Sequence, residues 1–389
     1  MEDALSYISQ KPAAQQPSWE GAAELAMARE QLARRPPLVT PGQIRDLRTQ
    51  LASVADDGAR VVQAGDCAED PAESTRAHVV RKAALLDLLA GTLSLATHRP
   101  VIRVGRMAGQ YGKPRSSPVE YVDGVELPVF RGHLVNGPEP DPLSRRADPR
   151  RLLTAFRAAG SVMGHLGWLP GAPGPRVGAP VWTSHEALVL DYEIPQVRRD
   201  VDGRHYLSST HWPWVGKRTA QPDGAHIDLL SAVANPVSVK IGPDLTADEL
   251  LTLCRRLDPR REPGRLTLIA RMGADLALDR LPPLVTAVRS AGHPAIWLCD
   301  PMHGNTVPGP GGRKTRYLSH LTQELTDFQK ALASAGGVAG GVHLEATPDD
   351  VAECLNDTSR GEVVGHYTSL CDPRLNARQA VEVLAAWRG

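Results

Sequence analysis

Apolar positions along the 389-residue chain fall into short runs separated by longer periodic stretches. The short runs, at 59–65, 100–106, 180–185, 211–216, 236–242, 266–272, 295–299 and 341–346, are rich in Val, Ile and Leu and stop at glycine or polar residues. That is the pattern of strands buried on both faces. Between them, apolar residues at helical spacing predict helices over 78–96, 149–166, 246–257, 278–291 and 317–335, with 348–355 and 377–387 after the last strand. Two further helices precede the first strand, one over 17–34 opened by Ser18 and one after Pro41. Residues 1–16 are polar without periodicity and are expected to be mobile. Asp202-Gly203 fits a hairpin turn. Eight strands alternating with helices imply parallel pairing, and a chain of this length favours an α/β fold of the (β/α)8 TIM-barrel type over a doubly wound sheet. Residues 1–55 are expected to form an N-terminal extension packed on a barrel of residues 56–389 that carries inserted loops. No fixed-period repeat points to a solenoid.

Charge narrows the function classes. Lys and Arg total 44, as do Asp and Glu, so no global field argues for nucleic acid or a membrane surface as partner. No apolar run approaches the ~20 residues of a membrane span, and the polar N-terminus lacks a signal-peptide core, which together predict a cytoplasmic location. Five cysteines, an odd number without paired spacing, argue against a disulfide framework and for burial or metal binding.

In a barrel the chemistry sits at the C-terminal ends of the strands. Those exits carry Cys67, Arg106, Glu186, Arg218, Lys240, Arg271, His303 and Glu345, with Asp372 in a loop beyond. The cations Arg106, Arg218, Lys240 and Arg271, together with Lys113, Arg115 and Ser116 of the glycine-rich loop after the second strand, point to an anionic ligand such as a phosphate. Taken singly, each could instead pair with a surface carboxylate, and Lys240 also suits a Schiff-base nucleophile. Cys67, His303, Glu345 and Asp372 offer sulfur, imidazole and carboxylate donors, which favour a transition metal and keep Mn²⁺ open. No spacing motif links these four. Cys67 alone reads also as a small buried side chain, and His303, where the run 295–298 breaks into a turn, reads on its own more often as a hydrogen-bonded structural histidine.

Seven stretches change the weighting: Gln63 to Glu69, Arg106 to Ser116, Thr183 to Ala187, Asp223 to His226, Asn235 to Pro243, Cys299 to Thr306 and Cys371 to Asn376. In order, from about residue 60 to 376, they resemble the class II 3-deoxy-7-phosphoheptulonate synthases, first enzymes of the shikimate pathway. The resemblance implies a metal-dependent condensation of phosphoenolpyruvate with erythrose 4-phosphate on a (β/α)8 barrel with extra N-terminal helices. It assigns one divalent ion to Cys67, His303, Glu345 and Asp372; Mn²⁺ or Co²⁺ is expected, with Zn²⁺ and Fe²⁺ as alternatives. Phosphoenolpyruvate goes to Arg106, Lys113, Arg218, Lys240 and Arg271 near Glu186, with Arg106, Lys240 and Glu186 as the catalytic set. Lys113, Arg115 and Ser116 are also placed to meet the aldose phosphate, and a homodimer is expected. Asp300 and Asn305 are expected to support His303 or touch substrate, and Cys299 to be a bystander in the barrel wall.

Three positions depart from the family pattern. Lys217 replaces a glutamate, Ala220 an arginine, and His133 the aspartate of an Arg-Gly-Asp. Lys217 joins the expected substrate contacts, and the change retunes the phosphate site, alters the aldose, or is neutral divergence. An amino-substituted aldose phosphate and a catalytically silent binding homologue therefore stand as alternatives. The short N-terminal extension implies weak feedback inhibition, as suits a specialised-metabolite pathway.

Overall fold

Eight parallel strands follow the eight apolar runs: β1 Arg60–Gly65, β2 Val101–Arg106, β3 Trp182–Ser184, β4 Trp214–Val215, β5 Val237–Ile241, β6 Leu266–Ala270, β7 Ile296–Cys299 and β8 Ala339–Glu345. The computed structural model describes residues 7–8, 10–122, 124–169, 180–309, 312–356 and 366–388. Hydrogen-bonded neighbours run β3-β2-β1-β8-β7-β6-β5-β4. The ring closes between β3 and β4, where the Trp212 and Trp214 N–H groups donate to the Thr183 and His185 carbonyls at 3.1 and 3.0 Å, and Ala187 N–H donates to the Trp214 carbonyl at 2.9 Å. This is a (β/α)8 barrel, as the alternation of elements predicts.

Helices at Arg76–Thr97, Arg150–His165, Ala225–Ala232, Ala247–Leu257, Ala277–Ser290, Leu318–Ser334 and Ala377–Leu384 surround the strands, preceded by Ala22–Arg34 and Pro41–Ala55. Local sequence sets their starts. At Ala247–Leu257, Thr246 accepts from Glu249 N–H at 3.3 Å while the Glu249 carboxylate accepts from Thr246 N–H at 2.9 Å, a reciprocal cap. The hairpin Val197–Arg199 with His205–Leu207 turns at Asp202-Gly203, where Gly203 has φ +77°. Among the described residues no helix is long and apolar enough to cross a membrane, and all five cysteines are free.

Two expectations are corrected. Residues 348–355 form no helix. Their buried Glu353 instead accepts from the Ser369 and Arg374 amides at 2.8 and 2.6 Å, and Leu355 N–H donates to the Arg316 carbonyl at 2.9 Å, so tertiary bonds take the groups a helix would have used. The N-terminal segment is not a free tail either: Ile8 is buried and residues 10–16 lie against the barrel, while 1–6 and 9 fall outside the described residues.

Candidate active site

In register, β1 sets Gly65 beside Glu345 of β8 and beside Arg106 of β2. A side chain at 65 would not fit, because a Cβ there would meet the Arg106 carbonyl at 2.7 Å and φ is +155°. The chain then turns to place Cys67, whose sulfur lies within 4.8 Å of ligand oxygens of Glu345 and Asp372. His303 joins from the end of β7, with Nε2 3.1 Å from Glu345 Oε1. Its other nitrogen, Nδ1, lies 2.8 Å from Asp300 Oδ2, which fixes the ring with Nε2 facing Glu345. Asp300 also takes Lys240 Nζ at 2.8 Å and the His303 amide at 3.2 Å.

These donors converge on positive charge. Lys113 Nζ is 2.8 Å from both Cys67 Sγ and Asp372 Oδ2 and 3.3 Å from Glu345 Oε1, and Arg316 Nη1 is 2.8 Å from Glu345 Oε2. Burial raises the Glu345 carboxyl, but His303, Lys113 and Arg316 outweigh it and hold it well below the usual carboxylate range. Burial pushes the Cys67 thiol well up. One thiol and two carboxylates gathered around Lys113, with the His303 imidazole beside Glu345, offer the donor types that hold a divalent transition metal.

Above this cluster opens a pocket of about 260 Å³ that brings together Arg106, Lys113, Arg115, Ser116, Glu186, Lys217, Arg218, Lys240, Arg271, His303 and Asp372. Cys67 and Glu345 lie buried beside it. The pocket also takes in Gln110, Trp214, Thr306 and Lys314, which sequence reasoning missed. Gln110 and Thr306 sit inside stretches already singled out and Trp214 in the fourth strand run, whereas Lys314 lies in none of them. Lys314 reaches the site across the fold, pairing with Asp372 Oδ1 at 2.8 Å.

Arg106 is fixed from below by a one-way chain of bonds. Its Nη1–H donates to His343 Nε2 at 2.7 Å, His343 Nδ1–H to Gln63 Oε1 at 2.7 Å, and Gln63 Nε2–H to Ser184 Oγ at 2.7 Å, whose hydroxyl donates to the Trp212 carbonyl. Since arginine can only donate, His343 must be neutral with its proton on Nδ1. Lys240 is buried, and desolvation lowers its pKa despite Asp300. Glu186 is the opposite case: burial raises its carboxyl against the pull of Lys240 and Lys113, and its Oε1 has no hydrogen-bond partner.

The cationic loop owes its shape to Glu69. This buried carboxylate accepts from the Ala108, Gly109 and Gln110 amides at 3.1, 2.9 and 2.8 Å, holding Ala108 at φ +62°. Gln110 Oε1 in turn accepts from Glu186 N–H at 2.9 Å, so the first motif fixes the second and the second fixes the third. Of the departures, Lys217 pairs with Asp244 at 2.5 Å, which offsets the added charge at the pocket rim. His133 lines a separate cavity with Asp66 and Asp70, behind Cys67, and Ala220 packs on the core. Asp300 supports His303 as expected. Asn305 does not line the pocket; it donates to Glu324 Oε2 at 2.6 Å and accepts from Ala274 N–H at 3.0 Å, tying the loops after β6 and β7 together.

Comparison with known proteins meets this geometry. The sequence profile described as the class-II DAHP synthetase family matches residues 4–169 and 177–386. The chain belongs to the class-II DAHP synthetase family. It is 57% identical over 390 residues to a probable phospho-2-dehydro-3-deoxyheptonate aldolase of Pseudomonas fluorescens, covering 100% of this chain and 98% of that one. It is 38% identical over 427 residues to the phospho-2-dehydro-3-deoxyheptonate aldolase of Mycolicibacterium smegmatis, covering 96% and 91%. A solved phospho-2-dehydro-3-deoxyheptonate aldolase from Francisella tularensis shares the fold at 14% identity, with TM-score 0.55 and coverage of 98% and 99%. The DAHP synthase activity, an aldol-type condensation in the shikimate pathway, follows from this membership.

Proposed function

We propose that this DAHP synthase condenses phosphoenolpyruvate with erythrose 4-phosphate and water, releasing phosphate and 3-deoxy-D-arabino-heptulosonate 7-phosphate, and that it needs one divalent ion on Cys67, His303, Glu345 and Asp372. The observation that carries this reading is a mixed thiol, imidazole and carboxylate set at the floor of a pocket lined by eight lysines and arginines. Mn²⁺ or Co²⁺ suits that set, and Zn²⁺ or Fe²⁺ shares its donor preferences. When bound, the ion supplies Lewis acidity to the aldehyde oxygen.

The remaining work falls to side chains. Arg106, Arg218, Lys240, Arg271 and Lys113 hold phosphoenolpyruvate so that its C3 faces the aldehyde carbon, while Lys113, Arg115 and Ser116 take the aldose phosphate, with Lys217 at the rim. As the new C–C bond forms, positive charge develops at C2 and water adds there. Glu186, raised by burial and free at Oε1, takes the water proton; phosphate then leaves C2. In this reading the barrel of residues 56–389 carries the chemistry, residues 1–55 pack on it, and the chain acts as a cytoplasmic homodimer in aromatic or specialised biosynthesis.

Phosphate release decides the matter. Metal-stripped protein should be silent, and added Mn²⁺ or Co²⁺ should restore release with phosphoenolpyruvate and erythrose 4-phosphate, but not in Cys67→Ala. Release only with an amino-substituted aldose phosphate would move the substrate assignment, and none with any aldose under metal would leave a silent barrel.

A further inference from the structure

The segment before the first helices reaches the cationic pocket. On one side Pro12 is anchored by its carbonyl, which accepts from Ala225 N–H at 3.0 Å at the start of the Ala225–Ala232 helix. On the other, Gln16 donates to the Leu188 carbonyl at 2.8 Å and accepts from Leu190 N–H at 2.9 Å. Between these anchors Gln15 adopts φ +62°, a left-handed conformation that a non-glycine residue holds only when its surroundings fix it.

What fixes Gln15 is the anion loop. Its side-chain Oε1 accepts from Arg115 N–H at 2.9 Å, and its carbonyl accepts from the Arg131 guanidinium. The Arg131 carbonyl accepts from Lys113 N–H at 2.9 Å, which closes a triangle of segment, Arg131 and loop. The loop residues so tied, Lys113, Arg115 and Ser116, line one part of the pocket. Among the described residues, no bond of the segment 10–16 reaches Arg106, Lys240 or Arg271.

We propose that residues 12–16 form a strap belonging to the aldose-phosphate subsite, with Gln15 as the positioning residue that sets Arg115 and Ser116 in the loop. The proposal rests on the reading that Arg115 and Ser116 take the aldose phosphate. The strap then governs one substrate and not the other, which a purely structural tail would not do.

Gln15→Leu keeps the bulk and removes the acceptor. Amide hydrogen exchange over residues 113–117 should speed up, the KM for erythrose 4-phosphate should rise about three- to tenfold, the scale of one lost neutral hydrogen bond, and the KM for phosphoenolpyruvate should stay within about twofold. Gln15→Asn, which keeps an amide and tolerates left-handed φ, should recover part of the loss. Unchanged exchange, an equal rise in both KM values, or no change in either overturns the strap. Should the unaltered, metal-loaded protein turn over no aldose, the functional reading fails on its own; the strap is then judged by calorimetry with inorganic phosphate. The unaltered protein should bind it several-fold tighter than Gln15→Leu, and equal affinity rules the strap out.

Discussion

Asp300 holds two groups on opposite sides of the chemistry. It orients His303 through Nδ1 at 2.8 Å and grips the Lys240 ammonium at 2.8 Å, so one carboxylate links the imidazole proposed for the metal with a cation proposed for phosphoenolpyruvate. Asp300→Asn keeps the size but cannot reward both donors. Mn²⁺ affinity by isothermal titration should fall about 10- to 100-fold, the usual cost of losing a carboxylate behind a ligating histidine. Affinity equal to that of the unaltered protein would remove Asp300 from this role. At this scale much was legible: every candidate proposed from the strand exits lies in one cluster or pocket. Asp300 apart, residues that act through another side chain were not. His343 and Gln63 lie 280 positions apart, and only the β1–β8 register brings them together beneath Arg106.

The Leu318–Ser334 helix shows how an element outside the site holds it. Its Glu324 is buried, and accepts from the Met272 and Gly273 amides at 2.7 and 2.9 Å and from Asn305 at 2.6 Å, bracing the loops that carry Arg271 and His303. Burial raises the Glu324 carboxyl from 4.5 to about 8. The folded chain therefore binds this proton more tightly than the unfolded chain, so the stability it contributes is fully present below about pH 4.5 and is lost as pH rises through about 8. Glu324→Gln removes this titration. Between pH 6 and 9 the Tm of the unaltered protein should drop by a few degrees relative to the variant in a differential scanning measurement; parallel curves would show that Glu324 does not titrate there. Strands and most helices were readable because their apolar period repeats locally. The predicted helix at 348–355 failed for the converse reason: Glu353 is recruited by amides of the loop around Ser369, a contact that no local pattern encodes.

Over the whole molecule the charges cancel, with 44 of each sign, yet the pocket sets eight lysines and arginines against two carboxylates, Glu186 and Asp372. A neutral molecule thus carries a strongly positive mouth, and both proposed substrates are multiply anionic. Composition could not reveal this, since it depends on barrel closure gathering the strand exits at one end. Such a mouth steers anions from a distance, and salt screens that attraction: the Debye length shortens from about 10 Å at 0.1 M to about 3 Å at 1 M. Close ion pairs inside the pocket are screened far less. Raising salt from about 0.05 to about 0.5 M should therefore lower kcat/KM for phosphoenolpyruvate several-fold while kcat changes by less than about twofold. Arg218→Gln at the exposed rim should flatten the dependence. Arg204→Gln should leave it as it was, because Arg204 lines a cavity with Val233 and Arg265, which precede β5 and β6 at the opposite end of the barrel. A loss of kcat/KM that is identical in all three proteins would trace the effect to the salt itself and not to the field at the mouth.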